Sequence, residues 1–160
     1  MNKPGELREI ISSAVPHLKK NPDALHIFID KGKLYATGAN HNLSFEYQFD
    51  CVVLVTDYRG HSDDIMVPIL AWVARHQPEL LNNREKREDG ITFRAELINK
   101  NTADIEVTIK MTERVKVSND GSGNVVEHLP EPPFDPYDGF DWELYIQGVK
   151  VDDTSEDTNG

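Results

Sequence analysis

The stretch Ile91-Thr92-Phe93-Arg94-Ala95-Glu96-Leu97, followed across Asn99-Lys100-Asn101-Thr102 by Ile105-Glu106-Val107-Thr108-Ile109-Lys110-Met111, decides the fold. Apolar and polar residues alternate in both halves, the period of a strand with one buried face. The polar tetrad between them is turn chemistry, so the two halves read as a β-hairpin, with Thr112 to Val117 extending its second strand outward. Toward the N-terminus lies a longer strand, Leu43 to Thr56. Leu43, Phe45, Tyr47, Phe49, Cys51, Val53 and Val55 share one face, while the other passes from Ser44, Glu46, Gln48 and Asp50 to Val52 and Leu54. Its first half is expected to be wet on one side and its second half covered on both, beneath a helix or a neighbouring subunit. Leu25 to Asp30 and Lys33 to Thr37 flank Lys31-Gly32 and read as another hairpin.

Two helices complete the pattern. Leu7, Ile10, Ile11, Ala14, Val15 and Leu18 recur at helical spacing on one stripe, Pro4 suits the first turn, and Pro16 predicts a kink or break near Val15. A second helix is expected from Ile65 to about His76, with Ile65, Ile69, Trp72 and Val73 on its buried face and Pro78 at its exit. Pro68 is best tolerated within the first four helical positions, which favours Asp64 as the N-cap. The order α, β-β-β, α, β-β, with mostly hairpin connections, predicts an α+β domain: a mainly antiparallel sheet of about five strands packed by two helices.

Charge divides the chain. Of 28 acidic and 17 basic residues in 160, positions 1–118 hold 17 and 16, and positions 119–160 hold 11 and 1. Asn119-Asp120-Gly121-Ser122-Gly123-Asn124 is turn and linker chemistry, so the expected organisation is a body at 1–118 and an acidic, proline-rich extension at 119–160. Pro130-Glu131-Pro132-Pro133-Phe134-Asp135-Pro136-Tyr137 is expected to run extended, Trp142 to Val149 to form one short strand, and residues from about 152 onward to be disordered. The net charge of −11 argues against a general phosphate-backbone binder, although the near-neutral body weakens that argument. No apolar run approaches the roughly 18–20 residues of a membrane helix and no signal-peptide region is present, so a soluble protein that starts in a cytoplasm is expected.

The search for chemistry returns little. Cys51 is a lone thiol on an apolar strand face, read as a small hydrophobe rather than a nucleophile. His61 with Asp63 and Asp64 offers metal-type donors close in sequence, but no second histidine stands at i+4. Asp135, Asp138 and Asp141 lack the glycine and closing glutamate of a calcium loop. No nucleophile elbow, phosphate loop or dinucleotide fingerprint occurs. No enzyme, cofactor or metal is therefore expected, and a metal-dependent hydrolase using His61, Asp63 and Asp64 is the remote alternative. The mixed run Arg84-Glu85-Lys86-Arg87-Glu88-Asp89 is read as a charged loop between helix and strand, and Glu113-Arg114-Val115-Lys116-Val117 as the end of a projecting hairpin.

Several ordered segments resemble a known family. They are Leu25-His26-Ile27-Phe28-Ile29-Asp30 with Ala36-Thr37-Gly38, Val53-Leu54-Val55-Thr56-Asp57-Tyr58, Pro68-Ile69-Leu70-Ala71-Trp72 with Gln77-Pro78-Glu79-Leu80-Leu81, and Thr112-Glu113-Arg114-Val115. Together they resemble the tail completion protein R family of temperate contractile-tailed phages over roughly residues 4–118, with little alignment past 119. The resemblance implies a virion assembly protein, made in the host cytoplasm, that completes the tail at its head-proximal end and helps it join the capsid. By analogy with tail terminators it implies a ring of six, with tail tube or sheath and connector proteins as partners. A head–tail connector adaptor is the alternative. Arg84, Lys86, Arg87, Glu113, Arg114, Lys116, Phe134, Tyr137 and Trp142 are the candidate assembly interface; no membrane or specific nucleic acid is expected.

Overall fold

The computed structural model describes residues 1–36, 43–99 and 101–131, and the backbone of 145–146 and 149–150. Helices α1 (Lys3–Ala14) and α2 (Pro16–Lys20) lead through a short 3-10 turn, Pro22–Ala24, into β1 (Leu25–Ala36) and β2 (Phe45–Tyr58). Then follow α3 (Asp63–His76), α4 (Glu79–Asn82), α5 (Arg84–Asp89), β3 (Ile91–Leu97), β4 (Ala103–Asn119) and β5 (Asn124–His128). The five strands form one antiparallel sheet in the order β1-β2-β4-β3, with β5 also on β4. This is the α+β fold expected from the hydrophobic pattern.

Alternation sets the two faces of the sheet. Phe49, Cys51, Val53 and Val55 of β2 and Ile105, Val107, Ile109 and Met111 of β4 are buried beneath the helices. Leu7, Ile11, Val15 and Leu18 meet them from α1 and α2, and Ile65, Ile69, Trp72 and Val73 from α3. The buried stripe of α1 is narrower than its spacing suggests, since Ile10 and Ala14 are exposed. The helix breaks where Pro16 predicts: Val15 turns extended at φ −106° and ψ 103°, and α2 begins at Pro16. On the opposite face Val52 is buried and Leu54 half-buried among neighbouring strands, while Phe28 is exposed.

Five sequence expectations change. The predicted first hairpin is one continuous strand, β1, which pairs with β2 on both sides of Lys31-Gly32. Register shifts between Asp30 and Lys33, and Lys31 takes φ 50°, so these two residues form a bulge where a turn was expected. Second, α3 starts at Asp63 with Ser62 at its N-cap position, which leaves Pro68 sixth in the helix and unable to donate to the Asp64 carbonyl. Third, Arg84–Asp89 is helix α5, capped by the Asn83 side chain, which accepts from Glu85 N at 2.9 Å and Lys86 N at 3.4 Å. Fourth, Asn119–Asn124 closes the β4–β5 hairpin, so the sheet continues past the expected boundary near 119. Residues 145–146 and 149–150 form a two-residue ladder, two short strands where one was expected. The expected disorder from 152 lies outside the described residues.

Candidate assembly surface

The outward run of β4 carries the first feature. Met111, Glu113 and Val115 share the parity of Ile105, Val107 and Ile109, so Glu113 points to the covered side, where it is 2% exposed. Its Oε1 accepts from Asn2 N at 2.8 Å, and its Oε2 lies 3.3 Å from Lys3 N at the start of α1. His128 of β5 approaches through Nδ1 at 2.5 Å. Burial alone would push this carboxyl up. The Asn2 and Lys3 backbone N–H groups, His128 and the Met1 α-amino group outweigh burial and hold it below the ordinary carboxylate value.

Lys3 lies beside it, also buried. Its Nζ donates to Gln77 Oε1 at 2.9 Å and the Thr112 carbonyl at 2.6 Å, and pairs with Glu131 at 2.5 Å. Gln77, fully buried after α3, returns the contact by donating through Nε2 to Thr112 Oγ1 at 2.8 Å. These bonds join the start of α1, the end of α3 and the residues after β5 at Thr112 and Glu113, midway along β4. Glu113 is therefore an internal anchor, a correction to its place in the expected interface. Its parity within β4 is the signal that reveals this. For Lys3 and Gln77 the sequence carries no such signal.

The second feature is a charged wall made by α4 and α5. Arg84, Lys86 and Arg87 are exposed on α5, with Lys86 paired to Glu79 at 2.5 Å. Lys110 of β4 pairs with Asp89. A groove of about 480 Å³ runs between this wall and the sheet, with Lys31, Lys33, Asp50, Lys86, Asp89 and Lys110 along it. Arg114 is half-buried and donates to the Pro130 carbonyl at 3.0 Å, and Lys116 is exposed near Glu127. Arg84, Lys86, Arg87 and Lys116 thus stand on the surface, while Arg114 is partly used in holding the chain after β5. Phe134, Tyr137 and Trp142 lie outside the described residues, as do Asp135, Asp138 and Asp141.

The third feature is the edges of the sheet, β1 on one side and, along β4 on the other, β3 and β5. Phe93 is 70% and Leu97 80% exposed on β3, and Phe28, Leu34 and Tyr35 are exposed on β1. Neither edge is covered by another strand among the described residues.

His61, Asp63 and Asp64 do not converge on one point. His61 Nδ1 contacts Asp63 at 3.2 Å on the surface, whereas Asp64 Oδ2 accepts from Tyr58 OH at 3.1 Å. Burial, with Asp64 beside it, pushes the Tyr58 hydroxyl up to about 12. Among the described residues no group of three or more His, Cys, Asp or Glu is placed to hold a metal ion. Cys51 is buried on the apolar face, and burial pushes its thiol up to about 12, the state of a core thiol. No helix among the described residues is long and apolar enough to cross a membrane.

Comparison of the sequence with known proteins finds phage relatives. Residues 1–132 match the family described as P2 phage tail completion protein R (GpR). The tail completion protein R of Escherichia phage P2 is 39% identical over 151 residues, 94% of this chain and 97% of that protein. No solved structure matches. The similarity runs well past residue 119, where alignment was expected to fade, and takes in the β4–β5 hairpin.

Proposed function

Because this chain belongs to the P2 phage tail completion protein R family, whose members are structural tail proteins and not enzymes, we propose that it terminates the tail at its head-proximal end. In this reading six copies close into a ring that stops tube growth and prepares the tail for head joining. The observation that carries it is the 39% identity to the phage P2 protein along 94% of the chain. By its family and this similarity the chain is a phage tail completion protein, a component of the virion tail that works with other tail proteins.

The surface suits that role. A cyclic ring requires two different, complementary patches on each copy, and this chain has two unlike sheet edges and a charged helical wall. Arg84, Lys86, Arg87, Arg114 and Lys116, with Phe134, Tyr137 and Trp142, are proposed to face neighbouring tail proteins. The test adds purified protein to tails assembled without it. Electron microscopy is expected to find a six-fold ring at the head-proximal end, with tail length and head joining restored. Binding at the distal end, or tails of normal length that join heads without the protein, would overturn the reading.

A further inference from the structure

The two sheet edges are complementary to each other in one register. In the path β1-β2-β4-β3 every neighbour is antiparallel, so β1 and β3 run in opposite directions. A copy generated by pure rotation about an axis along the strands brings its β1 antiparallel to β3 of the first. The backbone parity also agrees. Lys110 N donates to the Gly90 carbonyl and Ile98 N to the Thr102 carbonyl, so even-numbered β3 residues bond to β4. Phe93, Ala95 and Leu97 therefore aim their N–H and C=O groups outward. Alternating through the registers of β4 and β2, the same reasoning turns Leu25, Ile27 and Ile29 of β1 outward, consistent with Arg8 Nη1 reaching the Leu25 carbonyl at 3.1 Å.

We propose that β3 of one copy adds to residues 25–30 of β1 in the next copy, with Ala95 opposite Ile27, making a continuous sheet through the ring. The proposal rests on the ring reading and names the surface that closes it. In this register the helix-side pairs are Leu97 with Leu25, Ala95 with Ile27 and Phe93 with Ile29. The other face pairs Glu96 with His26, Arg94 with Phe28 and Thr92 with Asp30. Arg94, which pairs with Glu106 at 2.9 Å in its own chain, would stand beside the Phe28 ring of the next copy, within reach of a cation–π contact. Glu96 stands opposite Asp104 within its own chain, a like-charge pair, and has no ion-pair partner among the described residues. His26 of the next copy would stand beside it.

Neighbouring registers fit worse. A shift of two residues one way sets Phe93 opposite Lys31, at the bulge, where φ is 50°. The opposite shift sets Arg94 against His26 and carries Glu96 past the start of β1. The bulge ends the regular run of β1 after Asp30, a run of six residues from Leu25 that takes Thr92 to Leu97 of the seven-residue β3. An uncovered edge such as β3, with no proline or bulge, is a pairing template in any folded protein, and a second copy of this chain carries its complement.

The test is a disulfide across the proposed junction, His26→Cys with Glu96→Cys. The two positions form a non-hydrogen-bonded pair with Cα atoms about 4.5 Å apart, within disulfide reach. Cys51 is buried and takes no part. Oxidised on tails or at high concentration, the double variant is expected to give a reducible ladder ending at six chains, while Asp30→Cys with Glu96→Cys gives none. Six-fold rings that yield no ladder would overturn the edge pairing and leave the ring standing. A ladder closing at another number would keep the pairing and overturn the six. A disulfide dimer from Ala95→Cys alone would show two β3 strands meeting about a two-fold axis, and would overturn the proposal. Phe93→Asp is expected to keep the melting temperature and weaken self-association by on the order of tenfold or more; unchanged association would count against it.

Discussion

Glu113 is a carboxylate whose hydrogen bonds stay inside the molecule. Replacing it by Ala leaves the Asn2 and Lys3 N–H groups without their acceptor, and is expected to cost about 1–3 kcal/mol in denaturant unfolding. Its carboxyl is held below its ordinary value, so the stability it contributes is present above about pH 4.5 and fades as pH falls through the lowered value. Wild-type protein should lose stability over that acid range, and Glu113→Gln should flatten the loss; an unchanged acid profile would contradict the assignment. Trp72 is a different kind of residue. It is 3% exposed and stacks on His76 at 4.8 Å, and its indole N–H has no partner among the described residues. Trp72→Ala is expected to cost about 3–5 kcal/mol through the cavity it leaves. Trp72→Phe, which loses no hydrogen bond, should cost far less, and equal costs would refute the packing argument.

Among the elements, α5 shows how much of the site pattern alone conveys. A run of alternating charges with no apolar stripe gives no periodicity to detect, so a helix there is invisible except for Asn83 standing just before it as a cap. The bulge in β1 was hidden for a related reason: Lys-Gly between alternating runs serves a turn or a bulge equally, and only the partner strand decides. By contrast α3, β3 and the start of β4 were legible, because each keeps one period over two or more turns or pairs. The close join between α5 and β3 yields a sharp prediction. A Cβ on Gly90 would lie 2.4 Å from the Lys86 carbonyl oxygen and 2.9 Å from Leu80 Cδ2. Gly90→Ala is expected to destabilise by about 1–3 kcal/mol, as overpacking does, and a neutral result in thermal melts would show that α5 shifts freely.

For the whole molecule, the charge boundary near 119 and the structural boundary do not coincide. Charge shows where acidic residues accumulate, but the β4–β5 hairpin and the Lys3–Glu131 pair carry the sheet and its anchors beyond it. A chain ending at Ser118 is therefore expected to melt well below one ending at Glu131, because it lacks His128 and Glu131; matching melts would restore the boundary at 118. The proposed assembly surface is only half legible in the sequence. Exposed charges on α5 could be named from their run, whereas the edges of the sheet become visible only once strand order is known.

The anchor around Glu113 also bears on how the chain comes off the ribosome. Asn2 and Glu113 are 111 positions apart, and Lys3 and Glu131 are 128 apart. Helix α1 is synthesised well before Glu113 and Glu131, so its starting turn has no acceptor until β4 and the residues after β5 have emerged. Long-range closures of this kind are slow. The start of α1 is thus made long before the residues that fix it, and a copy whose synthesis stops short of Glu113 carries a loose α1.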